Sequence, residues 1–307
     1  MIKKTIYLGN PYYVCVKDKQ LELQVPDGKG IDQILTKKIP IEDIGILILD
    51  HQQITLTHSV LQQIAAYNIA LVSCDANHLP ASLLMPLEGH NTQQERFRNQ
   101  IEASEPLKKQ LWQQTIKYKI RNQAALLNKT GFTQESKGLL QFANDVNSGD
   151  TNNLEGRAAA VYWKTIFGGL IQDFTRDRFG MYPNNLLNYA YAIIRATVAR
   201  SLIGSGLLPT LGIHHRNKYN AYCLADDIME PYRIYADEMV YEMLQESPNL
   251  ELNLDKFCKA KILTLPAKEV ILNNQRSPMM VALQRSTSSL AQCYEGSERK
   301  ILYPEFS

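Results

Sequence analysis

A chain of 307 residues that is 45% hydrophobic, 21% charged and 8% aromatic suits two domains or one large one, and is apolar enough to bury a sizeable core. A formal net charge of +2 excludes a globally basic nucleic-acid binder, so any such surface must come from local patches. Five scattered cysteines (Cys15, Cys74, Cys223, Cys258, Cys293), never in a CxxC pair, argue against a disulfide framework or a thiolate zinc site and fit a reducing, cytoplasmic compartment.

Lys3 and Lys4 precede no apolar run, so the start reads as a first strand and not as a signal peptide. No stretch approaches about 18 uninterrupted apolar residues, and no membrane span is expected. Thr5–Leu8, Tyr12–Val16 and Leu21–Val25 cluster β-formers, punctuated by Gly9-Asn10-Pro11, Lys17-Asp18-Lys19 and Pro26-Asp27-Gly28. Ile44–Leu49 is a nearly continuous apolar run, the pattern of a buried strand. Thr57–Asn68 carries Val60, Leu61, Ile64 and Ala65 at helical spacing, with Thr57 or Ser59 as cap. Ile69–Ser73 and Leu83–Met85 read as further strands. Residues 1–88 thus form a β-rich N-terminal domain, joined by a linker at 89–95 to a larger all-α domain over 96–307. The fold class is α+β.

In the helical part, a segment with Leu111, Thr115, Tyr118 and Asn122 in a 3–4 rhythm carries Arg96, Arg98, Lys108, Lys109, Lys117, Lys119, Arg121 and Lys129. These form either a solvated helix face or a strip that neutralises phosphates. Asn144–Asn153 is a polar loop, after which Glu155 opens a helix capped by Asn152 or Asn153. Asn188–Leu202 is a long apolar core helix. Helical signal resumes over 227–245, 252–262 and 267–292, and the end, Glu298–Ser307, holds Ile301, Leu302, Tyr303 and Phe306, a tail docked on its own domain or on a partner.

Three separated pieces carry metal-site chemistry: Glu155 before Gly156 and Ala158-Ala159-Ala160, the pair His214-His215, and Asp227-Ile228-Met229-Glu230-Pro231. Two or three carboxylates with an imidazole suit Mg²⁺ or Mn²⁺ acting on a phosphodiester. Each piece alone has a plainer reading. Glu155 is a surface acid, a histidine is structural, and Asp226 or Asp227 caps a helix that Pro231 places as starting shortly before. Asp227 and Glu230 share a helix face at a spacing of three, and Arg233 is either the partner of Glu230 or a phosphate contact. Spacing alone does not join the pieces.

The series Glu155-Gly156-x-Ala158-Ala159, Asn185-x-x-Asn188-Tyr189-x-Tyr191-Ala192-Ile193, Gly212-x-x-His215 and Leu224-x-x-Asp227-x-Met229-Glu230-Pro231-Tyr232-Arg233 resembles the CRISPR-associated integrase family "Cas one". It is most similar to members from type II systems. The resemblance covers nearly the whole chain, and it implies a metal-dependent DNA endonuclease and integrase. Such an enzyme inserts short foreign DNA into a CRISPR array, the 3′-hydroxyl of the spacer attacking a phosphodiester at the repeat edge. It implies metal ligation and catalysis at Glu155, His215 and Glu230, with Asp227 behind them or as an additional ligand. His214 is the less favoured histidine. Many relatives carry Asp where this chain has Glu230, which lengthens the reach by one methylene.

The implied cofactor is Mg²⁺ or Mn²⁺. The implied partners are DNA (spacer precursor and repeat), a second copy through the β-rich domain, a "Cas two" dimer in a 4:2 complex, and in type II systems the effector nuclease and a ring-shaped accessory protein. Candidate DNA contacts are Arg96, Arg98, Lys117, Arg121, Lys218 and Arg233. Two rival readings are a general branched-DNA repair nuclease and a non-catalytic DNA-binding scaffold.

Overall fold

The computed structural model describes residues 3–26, 33–178, 180, 182–246 and 254–307. Most of the expected Pro26-Asp27-Gly28 turn and the start of the expected 252–262 helix lie outside these residues. The chain divides into two compact units, Met1–Asn91 and Thr92–Ser307.

The first unit is built on two sheets. In one, β1 (Lys4–Leu8), β5 (Ile44–Leu49) and β7 (Ala70–Cys74) run parallel, and β8 (Pro80–Leu84) closes the edge antiparallel to β7. The unbroken Ile-Gly-Ile-Leu-Ile-Leu run of β5 becomes the inner strand, because a strand covered on both faces has no place for alternating polar residues. The other sheet is the meander of β2 (Tyr13–Lys17), β3 (Gln20–Pro26) and β4 (Gln33–Pro40), with the short β6 (Thr55–Leu56) beside β2. Side chains from both sheets, including Leu8, Val14, Leu21, Leu47 and Leu71, share one core with Val60 and Ile64 of α1 (His58–Ala66).

β4 was not expected from the sequence. In it Ile39 is buried opposite Leu21, while Lys37 and Lys38 are exposed. Two adjacent exposed lysines break the alternation that marks a strand in sequence.

The second unit is helical: α2 (Gln93–Glu102), α3 (Glu105–Lys129), α4 (Thr133–Asp145), α5 (Leu154–Ile166), α6 (Asn184–Gly204), α7 (Cys223–Met229), α8 (Arg233–Glu246), α9 (Lys256–Ile262) and α10 (Met279–Glu295). The apolar α6 lies at its centre, buried along most of its length.

The expectation of an all-α unit needs one correction. Part of the stretch read as helix over 267–292 is a hairpin, β9 (Glu269–Leu272) and β10 (Gln275–Pro278), and β11 (Pro304–Glu305) joins it to make a three-stranded antiparallel sheet. Asn273 and Asn274 make the turn, both at positive φ (51° and 58°), the geometry two-residue hairpins need and asparagine tolerates.

The C-terminal tail docks on its own unit. Ile301, Tyr303 and Phe306 are buried. Asn122 on α3 donates to the carbonyls of Pro304 (3.0 Å) and Pro231 (2.9 Å) and accepts from the Phe306 amide (3.1 Å). Among the described residues no helix is long and apolar enough to cross a membrane.

Candidate metal centre

Glu155 stands in the first turn of α5, and the start of that helix is held by side chains on three successive amides. Asp150 accepts from the Leu154 and Glu155 amides (2.9 Å each), and Asn153, at the N-cap, accepts from Gly156 (3.2 Å). These satisfy donors that a helix start leaves open. Gly156 is small for this reason: a Cβ there would lie 2.8 Å from the Asn153 amide group.

Glu230 follows α7 in a tight 3-10 turn, Glu230–Tyr232, that leads into α8. Pro231 therefore sits at a junction between two helices, and the helix before it begins at Cys223, earlier than the sequence suggested. Glu230 is buried, with Arg233 Nη2 2.9 Å from its Oε1. Neighbouring cations offset the burial that opposes its charge, Arg233 ahead of Lys119, and its carboxyl is held below the usual range.

Asp226 and Asp227 are not helix caps. Asp226 accepts from Arg195 Nε (2.6 Å) and Asn220 (2.7 Å). Asp227, with none of its surface exposed, accepts from the amides of Ile213 (2.6 Å) and His214 (2.9 Å) on Oδ2 and from the His215 amide (3.3 Å) on Oδ1. Its Oδ1 also meets His215 Nδ1 at 2.5 Å. With four donors on two oxygens, Asp227 orients the histidine loop and has little capacity left to ligate. Gly212 makes room for it, since a Cβ there would lie 2.9 Å from Asp227 Oδ2 and 2.4 Å from the His215 carbonyl oxygen.

An ionised carboxylate only accepts, so Nδ1 of His215 carries the proton and Nε2 is the ring nitrogen left for a ligand or substrate. The bond to Asp227, helped by the charges of Glu230 and Glu155, raises the His215 pKa above its ordinary value. His214 instead stacks its ring on the buried Trp112 of α3 at 4.2 Å and 2°, and the His215 ring stands edge-on to both, at 5.6 Å from Trp112 and 5.5 Å from His214.

The two acids of the predicted set do meet, and they meet on a lysine. Lys119 Nζ lies 2.6 Å from Glu155 Oε1 and 2.7 Å from Glu230 Oε2. Among the described residues no three His, Cys, Asp or Glu side chains are gathered tightly enough to cage an ion. Of the three expected ligands, Glu155 and Glu230 meet around an ammonium, and the His215 ring is held by Asp227. The donor set nevertheless fits a hard divalent ion: two carboxylate oxygens already converge on one positive centre, and the ammonium stands in for the cation. Lys119 was one of eight basic residues in the sequence strip and was not singled out. Its position relative to Trp112, Ile116 and Gln123 places it on the buried stripe of α3.

Of the residues proposed to contact DNA, Arg98, Arg121 and Lys218 are exposed and Lys117 is half-buried. Arg96 and Arg233 already have partners in the fold. Arg96 donates to the Ser205 carbonyl (2.8 Å) and pairs with Glu295 (3.1 Å), and Arg233 pairs with Glu230 while lying over the Tyr191 ring. Both are engaged inside the fold. Beside His215 opens a cleft of about 370 Å³ whose rim includes Lys108, Arg216 and Lys218. A separate cleft of about 620 Å³ in the first unit, past the ends of β5 and β7, contains a buried Asp50 bonded by Tyr7 and His78.

The family model described as "CRISPR associated protein Cas1" matches residues 6–273. The CRISPR-associated endonuclease Cas1 of Neisseria meningitidis serogroup C (strain 8013) is 36% identical over 251 residues, covering 82% of this chain and 81% of that protein. Among solved structures, a casposase bound to its integration product superposes with a TM-score of 0.79 at 20% identity, covering 100% of this chain and 95% of that one. A chain of a Cas6-RT-Cas1–Cas2 complex superposes with a TM-score of 0.77 at 17% identity, covering 99% of this chain and 36% of that one. These two show a shared fold. With its motifs in order and most of its length matched, the chain belongs to the CRISPR-associated Cas1 family.

Proposed function

We propose that this protein is a metal-dependent DNA endonuclease and integrase that joins short foreign DNA to a CRISPR repeat by transesterification. The observation that carries the reading is the convergence of Glu155 and Glu230 on one cation, beside a histidine whose tautomer is fixed by a buried carboxylate. Membership of a family whose relatives are named endonucleases supports it, as does likeness to a casposase bound to an integration product.

Glu155 and Glu230 would hold a Mg²⁺ or Mn²⁺ ion, with His215 Nε2 as the third donor. When bound, such an ion polarises a phosphodiester oxygen and offsets the charge that builds up as the 3′-hydroxyl attacks in line. Asp227 keeps the proton on Nδ1 of His215 and so keeps Nε2 available. Arg233 holds Glu230 in place. Lys108, Arg216 and Lys218, around the cleft beside His215, are suited to the DNA backbone, which predicts salt-sensitive binding. The partners we propose are DNA, a second copy and a Cas2 dimer in a 4:2 complex. The Cas1–Cas2 assembly among the structural neighbours supports the Cas2 partner. The type II resemblance adds the effector nuclease and an accessory ring to the proposed partners.

The test is integration of a short duplex with free 3′-hydroxyls into supercoiled DNA carrying the repeat, with Cas2 present. Glu155→Ala, Glu230→Ala and His215→Ala are each expected to abolish joined product while gel-shift binding of DNA survives. Full integration by Glu155→Ala refutes the assignment. Cleavage of branched DNA with no joining points to the repair nuclease instead.

A further inference from the structure

Lys119 is an unusual choice for its position. Its neighbours on the inner stripe of α3 are Trp112, Thr115, Ile116 and Gln123, all buried, and its own side chain is 13% exposed. A lysine placed there must either lose its charge or find partners. It finds two, the same two acids that the proposed function assigns to the metal, at 2.6 and 2.7 Å.

Two carboxylates aimed at one point repel each other unless a positive charge sits between them. The Lys119 ammonium supplies that charge from a 25-residue helix tied to α4, α5 and the C-terminal tail. It makes contacts of 2.6 and 2.7 Å, where Mg²⁺ draws oxygens to about 2.1 Å. The acids are therefore set for a longer contact than a metal ion makes, which matches the absence of a tight cage among the described residues. Lysine suits this place better than arginine would. Its charge is compact and sits on a flexible four-carbon stem that withdraws without moving the helix, whereas a planar guanidinium is fixed by its fork.

Resting on the metal-site reading above, we infer that Lys119 is a tethered cation that occupies the metal position in the metal-free protein and is displaced when the divalent ion binds. Two properties follow. The folded protein tolerates converging acids without metal, so folding does not depend on metal supply. Metal affinity is set low, because each ion must displace an ammonium that has lost no translational freedom by being there.

The experiment titrates Mn²⁺ into the full chain, following the free-ion signal by electron paramagnetic resonance, alongside thermal melts with and without Mn²⁺. Lys119→Met removes the charge and keeps most of the stem, and Lys119→Gln is a polar neutral alternative should the methionine variant fold poorly. Lys119→Arg keeps the charge. The neutral variants are expected to bind Mn²⁺ roughly tenfold tighter or more, a change readily resolved by titration. They are also expected to melt lower than the parent without metal and to recover when it is added. Lys119→Arg is expected to bind no tighter than the parent. Equal or weaker binding by both neutral variants, with normal binding by the parent, overturns the inference and leaves the metal centre standing. If neither the parent nor any variant binds Mn²⁺, the metal centre and the inference fall together.

Discussion

Replacing Asp227 by asparagine takes one acceptor oxygen from a group that serves four donors and puts an amide N–H₂ in its place. The remaining oxygen best stays on the Ile213 and His214 amides, which make the 2.6 and 2.9 Å bonds on Oδ2. The new N–H₂ then faces the His215 amide and ring nitrogen, both donors. The amide contact, already long at 3.3 Å, is lost. The ring adapts in the only way open to it, by moving its proton to Nε2 so that Nδ1 accepts from the asparagine.

Losing charge-assisted bonds at a site with no exposed surface is expected to cost ~3 kcal/mol of stability. The altered tautomer is expected to lower metal affinity and activity by about 10–100-fold, the scale seen for partners that orient a ligating histidine. Urea unfolding measures the first quantity, and the ¹⁵N shifts of the His215 ring report the tautomer directly. Parent-like stability together with a proton still on Nδ1 refutes the reasoning, because Asp227 would then orient nothing. The tautomer measurement stands apart from catalysis, so a failure in the integration assay alone does not decide the point.

Other perturbations test other parts of the molecule. Asn122→Ala removes three buried hydrogen bonds, two to the tail and one to Pro231, and is expected to cost ~3 kcal/mol and expose the segment after Arg299 to protease, checked by unfolding and limited digestion. His214→Ala loses a stacked ring and is expected to cost ~1 kcal/mol in a melt while sparing integration, unlike His215→Ala; equal loss of integration would undo the distinction between the two.

Asp237 is fully buried, and burial raises its pKa from 3.8 to about 6 even with Tyr191 and Tyr162 donating to it. A raised carboxyl pKa means the folded state holds the proton longer. The stability this provides is fully present below pH 3.8 and is lost as pH rises through about 6, a change of ~3 kcal/mol at most. Asp237→Asn is expected to remove that slope in unfolding measured at several pH values, and an unchanged slope counts against it.

Much of the architecture was written in apolar pattern. β5 was found with its exact ends because an inner parallel strand has no polar positions to blur it, and α6 was legible for the corresponding reason in a helix. Two elements without a clean period were missed: β4, with adjacent Lys37 and Lys38, and the β9–β10 hairpin, whose four-residue strands are too short to establish one. At the site, Glu155 and Glu230 were legible only through motif order, since nothing in residues 155 and 230 says that their helices meet. Asp150, Arg195 and Lys119 were missed because their roles exist only across packed elements. Lys119 did leave a trace, a charge in phase with Trp112 and Ile116, where an apolar residue was due.

The single side chain of Asn122 bonds both the tail and the Pro231 carbonyl, one residue past Glu230. During synthesis the stretch around residue 304 emerges long after Glu230 has been made. Until it arrives, the Asn122 amide lacks partners for one of its N–H bonds and for its oxygen, and β9 lacks one of its two neighbours. A ribosome that stalls or a message that is cut short before this stretch therefore yields a chain with every proposed ligand but with Asn122 held to Pro231 alone. The packing behind the proposed ligands is thus completed by a segment made well after them.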